Sequence, residues 1–595
     1  MNKSTPLTKR AILKYFLSQQ FDETTNSTKS TKSTKTNKQT KTNRIGRAKS
    51  SKYKWTTLEH NGMKFPPEYI PKKIPIKYLN ENIYLSPSAE EAAFAYAKYI
   101  GTEYETNTTF NRNFFNDWKK LLGKNTPIQS LSLCNFSLMK AYLVEKKLSS
   151  KEVPDPSSLN EDLYKTAILD GKPQLVSNYR MEPPGIFIGR GKNPNLGKIK
   201  SRTNPEDVII NIGANAKIPS PPPGHKWGRV IHDRTVEWLV AWKDLITLKT
   251  KYLWLSAQSD LKASSDVAKF DLARKLKKKI GLIEKHNLEL LSSPDIKSRQ
   301  IATSMYLIDK LAIRVGNEKS EDEADTVGCS NLRVEHIEFH DPDQITLNFL
   351  GKDSVRYTNT IEVIPIVYSN LKKFILSKMK DDEIFDLISS TDINKYLQSL
   401  MKDLTAKVFR TYNASNLFQK ELNKITKKYE GLIIQPDPAN PLKSLPIINQ
   451  TQLKEILDEF SKANAKVARM MNHQKNISTG YKKSVDKVNE NLLKLKKKLI
   501  SVRRTSKKSS KKSSLKSKSN QIDKIKTLIA KSKSRLEFVK EMKNISLGTS
   551  KANYIDPRIT VSFMKKFNID VDKVFSKALQ EKFKWAFTVD IEYKF

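Results

Sequence analysis

Hydrophobic positions follow different rhythms in the two halves of the chain. Before about residue 260, short apolar runs alternate with Pro, Gly and Asn, and period-two stretches predict strands at Val208 to Ile212 and Val236 to Trp242. Helical spacing occurs there at Ala11 to Leu17, at Ala89 to Tyr99 and around Phe114-Phe115-Asn116-Asp117-Trp118, whose aromatics are expected to be core. From Ser265 onward the spacing becomes three and four. Leu272, Leu276, Ile280 and Ile283 trace one face with lysines opposite, and Ile301 to Ile313 repeats the pattern, as amphipathic helices on a core require. Further helices are expected at Leu404 to Arg410 and Leu453 to His473. A short β insertion is expected at Asp343 to Val363, where Ile345, Leu347 and Phe349 alternate before Gly351-Lys352-Asp353.

Between Asn476 and Ser546 the pattern tightens into two heptad seams. One runs through Val485, Val488, Leu492, Leu495, Leu499 and Val502, the other through Ile522, Ile525, Ile529, Ser532, Leu536 and Val539. They predict an antiparallel coiled-coil hairpin with a flexible tip at Thr505 to Asn520, which is nearly all Lys and Ser. Val153 to Ser158 reads as a surface connection, and Pro219-Ser220-Pro221-Pro222-Pro223-Gly224-His225-Lys226-Trp227 as a rigid extended one.

Composition narrows the partner. The 595 residues exceed one core, so three or four domains are expected. Lys and Arg number 107 against 63 Asp and Glu, a net charge of +44 that favours a polyanion, nucleic acid first. Residues 24 to 52 repeat Ser, Thr, Lys and Asn with almost nothing to bury, so residues 1 to 52 are expected to be a disordered basic tail. The patch Ala11 to Leu17 has some character of a mitochondrial presequence, but nuclear or another DNA-containing intracellular compartment is the favoured expectation. Cys134 and Cys329 are the only cysteines, which argues for a reducing compartment and against a disulfide framework or a four-Cys zinc site. No apolar run approaches the ~20 residues of a membrane span.

Two motifs fail on inspection. Gly191 and Gly197-Lys198 have the wrong spacing for a phosphate loop, and Ile199 stands where Ser or Thr is required. His336-Ile337-Glu338-Phe339-His340 places its Glu one position off the zincin pattern, in strand-like surroundings.

The segment Gly548-Thr549-Ser550-Lys551-Ala552-Asn553-Tyr554-Ile555-Asp556-Pro557-Arg558-Ile559-Thr560 reads, on its residues alone, as a polar turn with one packed tyrosine. It resembles the nucleophile motif of eukaryotic-type type IB DNA topoisomerases, S-K-x-N-Y-[IL]-D-P-R-I-T. Four further segments resemble the same family in the same order. Ile308 to Lys319 with Ala324 to Cys329 is similar to its first catalytic-arginine motif, and Phe349 to Tyr357 to its catalytic-lysine hairpin. Leu404 to Ser415 is similar to the second arginine motif, and Asn472-His473-Gln474 to the histidine motif. The likeness extends from about Lys54 to Phe595. Departures are the shortened connection near Ser149 to Asp162, the brief N-terminal tail, the acidic loop Ser320 to Asp325 and the Lys/Ser tip; none touches the catalytic set.

The resemblance implies Arg314, Lys352, Arg410, His473 and Tyr554 as catalytic residues, and Arg190, Asn317, Lys319, Asp353, Gln474, Thr549 and Asn553 as DNA contacts. The chemistry calls for these types. Attack by a phenolate on a phosphodiester adds charge to the non-bridging oxygens, which fixed guanidinium groups and an imidazole N–H stabilise. An ammonium protonates the departing 5′ oxygen. Taken singly, each residue is equally at home as a surface ion pair, a hairpin cation or a polar cap.

The implied fold is an α+β multidomain DNA clamp. A mixed α/β cap at 53–260 is followed by a mainly α catalytic core at 261–475 resembling tyrosine recombinases. The antiparallel coiled-coil linker takes 476–546, and the tyrosine domain 547–595. The implied activity is relaxation of supercoils of both signs through a 3′-phosphotyrosyl intermediate, by a monomer on double-stranded DNA, with neither ATP nor metal as cofactor and no membrane. The rival readings are a tyrosine recombinase-like strand transferase and a non-catalytic DNA clamp.

Overall fold

The structure, a computed structural model, describes residues 53–149, 161–317, 323–433, 448–475, 477, 480–507 and 512–595. The expected N-terminal tail, the Val153 to Ser158 connection and the candidate Lys319 lie outside the described residues. The chain forms two compact units, one ending at Lys262 and the other beginning at Ala263, the second also including Gly189–Pro194.

In the first unit the predicted strands appear as Val208–Asn211 and Trp238–Lys243, within a four-stranded sheet completed by Arg229–Ile231 and Thr250–Trp254. Val208–Asn211 pairs parallel with Arg229–Ile231 and antiparallel with Trp238–Lys243. Val208, Ile210, Leu239, Val240 and Leu253 from this sheet form one core with Trp55 and Leu58. Of the aromatics expected to be core, Phe114 and Trp118 of the helix Thr108–Leu122 are buried and Phe115 is half-buried; with Phe110 they pack against the helix Pro87–Ala97, and Trp118 donates its indole N–H to Ala89 O at 3.0 Å. Fully burying side chains of this size stabilises by about 1.5–3 kcal/mol each.

The second unit is mainly helical around one large core. The helix Asp260–Leu290 turns Phe270, Ala273, Leu276 and Ile283 inward, with Leu272 and Ile280 at the margin. The helix Ile296–Leu311 is capped by Asp295, whose carboxylate accepts from the Ser298 N–H. The helices Ala406–Lys428 and Gln450–Met470 pack against each other through Phe418 and Phe460, whose ring centroids are 5.3 Å apart. The β insertion is a three-stranded antiparallel sheet of Ile337–His340, Gln344–Gly351 and Val355–Glu362. His336 precedes its first strand and His340 ends it, and they meet different partners, the Arg333 N–H and Thr346 Oγ1.

Two expectations shift in detail. The helix expected to reach His473 stops at Met470, because Asn472 takes the left-handed conformation (φ 53°) that closes it. The Asn472 N–H donates to Arg469 O at 2.9 Å and the His473 N–H to Ala468 O at 2.8 Å, the two bonds of a Schellman motif. The expected flexible tip also shrinks, since helices span Gly480–Lys507 and Lys512–Glu541. Lys is a good helix former and Ser a tolerable one, and no Gly or Pro interrupts the stretch. Tyr481 to Lys494 of the first helix lies opposite Ser532 to Val539 of the second, so the pair is antiparallel. Ile525 is buried and the other seam residues are half-buried, whereas most of the lysines between them are exposed.

Candidate active site

Arg410 is the centre of the site. It sits in the first turns of Ala406–Lys428, is only 4% exposed, and spans the ends of two other helices. Its Nη1 donates to Ala312 O, just past Ile296–Leu311, and its Nη2 donates to Met471 O at 3.2 Å, just past Gln450–Met470. Each carbonyl lies at the negative end of a helix, so the cation's desolvation is offset by two dipoles as well as two hydrogen bonds. Burial and then the neighbouring Arg314 bring the Arg410 pKa down to about 10, against which the Tyr554 phenol acts, so the guanidinium stays charged at neutral pH.

Those two helix ends carry the next two residues. After Ala312 turns left-handed (φ 50°), the chain runs to Arg314, whose carbonyl accepts from the Cys329 N–H at 2.8 Å. Ser330 N–H then donates to Val315 O at 2.6 Å. The two segments cross so closely that a Cβ on Gly328 would sit 2.3 Å from Gly316 N, which is why glycine stands at both crossing points. On the other helix end, His473 follows the Schellman turn and is 6% exposed. Burial, followed by the fields of Arg410 and Arg314, lowers its pKa to about 3, so the ring is neutral. Its Nδ1 lies 2.7 Å from Ser550 Oγ. His473 Nε2 and Arg410 Nε are buried without a hydrogen-bond partner among the described residues.

Lys352 occupies a different setting. It opens the turn between Gln344–Gly351 and Val355–Glu362, where Asp353 and Ser354 have φ of 68° and 58°. The tip is exposed, and Asp353 Oδ1 pairs with Arg190 Nη1 at 2.7 Å. Arg314, Lys352, Arg410 and His473 all line one cleft, with Tyr357, Asn472, Gln474 and Thr549.

Tyr554 closes the arrangement. Its ring lies 5.1 Å from the His473 ring, centroid to centroid, and the Arg410 guanidinium carbon is 5.2 Å from its centroid. Burial pushes the phenol up, but Arg410 and Arg314, aided by Lys407, outweigh it and leave the pKa below the ordinary value. Five segments spread over 241 residues, from Arg314 to Tyr554, therefore meet at one place.

Three family models cover almost the whole described chain. The DNA binding fragment of eukaryotic DNA topoisomerase I matches residues 53–255, its catalytic core 258–506, and the C-terminal topoisomerase domain 523–595. DNA topoisomerase 1 of Caenorhabditis elegans is 40% identical over 576 residues, 92% of this chain and 69% of the worm protein. The human DNA topoisomerase 1 is 39% identical over 571 residues, 91% of this chain and 72% of the human protein. DNA topoisomerase 1 beta of Arabidopsis thaliana is 38% identical over 566 residues, with the chain spanning 59% of its length. The chain belongs to the eukaryotic DNA topoisomerase I family. Its enzyme class is that of the type IB topoisomerases, isomerases that act on DNA.

Within this topoisomerase, the candidate DNA contacts fall in three places. Arg190 and Asp353 form the pair at the lysine hairpin. Asn317 lies at the crossing beyond Arg314, its carbonyl accepting from Asn331 Nδ2 at 3.2 Å. Gln474 follows His473 and donates to Arg356 O at 3.1 Å, while Thr549 and Asn553 lie on the helix Leu547–Asn553 that leads into Tyr554. The Asn553 side chain donates to Thr549 O at 3.2 Å.

Several residues that hold the site carried no assigned role in the sequence. Ser415 Oγ donates to Tyr554 O and accepts from the Asp556 N–H, both at 3.0 Å, so one hydroxyl clamps the main chain on either side of Ile555. Asp556 is fully buried and accepts from Arg558 and from the Tyr593 hydroxyl at 2.9 Å, with Arg558 paired onward to Asp271. Ser415 and Ser550 fall inside the motifs Leu404 to Ser415 and Gly548 to Thr560, and that placement was the available signal. Tyr593 and Asp271 lie outside every motif and offered none.

Proposed function

We propose that Tyr554 attacks a phosphodiester of one DNA strand and forms a 3′-phosphotyrosyl link, with Arg314, Arg410 and His473 donating to the non-bridging oxygens. Lys352 protonates the departing 5′ oxygen. The ester conserves the energy of the cut bond, so the freed 5′ hydroxyl reseals it after the duplex has turned about the intact strand. Supercoils of both signs relax. The fixed side-chain cations supply the charge stabilisation, and the reaction calls for neither ATP nor a metal cofactor. The observation that carries this reading is the half-buried phenol held against the Arg410 guanidinium and the His473 ring.

In the same reading, 53–260 is the DNA-binding cap, 261–475 a catalytic core related to tyrosine recombinases, 476–546 a coiled-coil linker and 547–595 the tyrosine domain. The chain acts as a monomer on double-stranded DNA, with nuclear DNA the favoured setting. No helix among the described residues is long and apolar enough to cross a membrane. Arg190, Asn317, Lys319, Asp353, Gln474, Thr549 and Asn553 contact DNA mainly through phosphate and sugar, which makes sequence preference weak and binding salt-dependent. Relaxation of supercoiled plasmid in EDTA without ATP tests the reading. Activity is expected, and Tyr554→Phe is expected to abolish it while salt-sensitive DNA binding persists. A Tyr554→Phe variant that still relaxes plasmid rejects the nucleophile, and a wild-type chain that only binds supports the non-catalytic clamp.

A further inference from the structure

We propose that Ser550 is a positioning residue that decides which nitrogen of His473 carries the proton, presenting Nε2–H to the cleft; the inference rests on the reading that His473 donates to the scissile phosphate. The two side chains are 77 residues apart in sequence, and Ser550 is completely buried. Such a pair has two hydrogen-bonding schemes. Either the hydroxyl donates to a bare Nδ1, or Nδ1–H donates to the hydroxyl oxygen. The second scheme makes Nε2 an acceptor, which repels a phosphoryl oxygen. The first places the ring's single proton on Nε2.

The surroundings favour the first scheme once an anion is present. The ring is neutral, being depressed by burial and by Arg410 and Arg314, so it has one N–H to place rather than two. Nε2 is buried and lacks a partner among the described residues, and His473 lines the cleft with Arg314, Lys352 and Arg410. A phosphoryl oxygen held by those cations is the acceptor that such an N–H lacks.

Backbone contacts keep the pair in register. The Ser546 N–H donates to His473 O at 2.8 Å, and the Lys475 N–H to Asn544 O at 2.8 Å, so the histidine loop and the segment entering Leu547–Asn553 are locked together. The carbonyl of Ser550 accepts from the N–H groups of both Tyr554 and Ile555 at 3.0 Å. One residue thus orients the imidazole through its side chain and the nucleophile through its main chain.

The test uses the full-length chain labelled with ¹⁵N-histidine. Long-range ¹H–¹⁵N spectra of the imidazoles report the tautomer directly, with the His473 signals assigned by their loss in His473→Gln. In the complex with uncleaved duplex DNA bearing Tyr554→Phe, His473 is expected as the Nε2–H form, and Ser550→Ala is expected to mix or reverse it. Single-turnover cleavage should slow about tenfold in Ser550→Ala, the effect of one lost buried hydrogen bond. It should slow about 10²-fold in His473→Ala, as for removal of one oxyanion donor. The double variant should be no slower than His473→Ala, and Ser550→Thr, which keeps the hydroxyl, should recover rate relative to Ser550→Ala. An Nδ1–H tautomer in the complex, or losses that multiply in the double variant, overturns the proposal. Wild-type cleavage by His473→Ala overturns instead the underlying role of His473, whatever the tautomer.

Discussion

The inner wall of the cleft and the tip of the lysine hairpin carry charge of the same sign in opposite settings. Arg410 is enclosed, fastened to two helix-end carbonyls, and packed beside a neutral imidazole and the phenol. Lys352 stands on an exposed turn whose neighbour Asp353 pairs with the exposed Arg190. The difference maps onto two tasks in the proposed reaction. Charge that stabilises a transition state is worth most where it is fixed and dry, because no reorganisation accompanies the reaction. A proton donor has to approach the leaving oxygen and withdraw from the product, which an anchored side chain does poorly.

The sharpest way to break this contrast is to keep the charge on the inner wall and remove its fork. Arg410→Lys cannot reach both Ala312 O and Met471 O, so single-turnover cleavage is expected to fall by about 10²–10³-fold, with a lowered Tm. A variant with wild-type rate would mean that the enclosed geometry is incidental. Lys352→Ala is expected to lose about 10²-fold with unchanged Tm. A substrate whose 5′ leaving atom is sulfur, which departs without a proton, should restore most of the Lys352→Ala rate and little of the Arg410→Lys rate. Equal rescue of both would erase the distinction between the two regions.

A pH series sharpens it further. The His473 pKa falls from 6.5 to about 3 in the folded chain, so between those values the unfolded chain binds the proton and the folded one does not. Stability is therefore fully present above about pH 6.5 and lost progressively as the pH falls toward 3; Tm in His473→Gln should decline less over that range than in the wild type. His60, buried in the first unit and lowered to about 4 by burial, adds a parallel acid sensitivity that this variant leaves in place. The smallest effect belongs to the tip: Asp353→Ala removes an exposed ion pair and should change stability by no more than about 0.5 kcal/mol. A larger loss would show that the tip is as rigidly held as the wall.

The two regions were also unequally legible. Helical faces such as Leu272, Leu276 and Ile283, the heptad positions of Gly480–Lys507 and Lys512–Glu541, and the Gln344–Glu362 hairpin follow from periodicity, because burying one face imposes a repeat. The candidate residues Arg314, Lys352, Arg410, His473 and Tyr554 came from resemblance, since isolated polar residues impose no repeat. What escaped was the scaffolding of the wall. Ser550, Ser415, Asp556 and Tyr593 each act through one or two hydrogen bonds to residues distant in sequence, and such bonds leave no trace in spacing. The helix end at Met470 was missed for a similar reason: it depends on one left-handed Asn472, which an apolar pattern continuing to Met471 conceals.

The central claim is that the phenol beside Arg410 and His473 is the atom that takes the broken strand. A duplex with a short scissile strand, which loses its 5′ fragment on cleavage, traps the covalent product for digestion and peptide mass spectrometry. The expected result is a nucleotide joined through its 3′ phosphate to Tyr554. An adduct on another residue, or one formed through a 5′ phosphate, would contradict it.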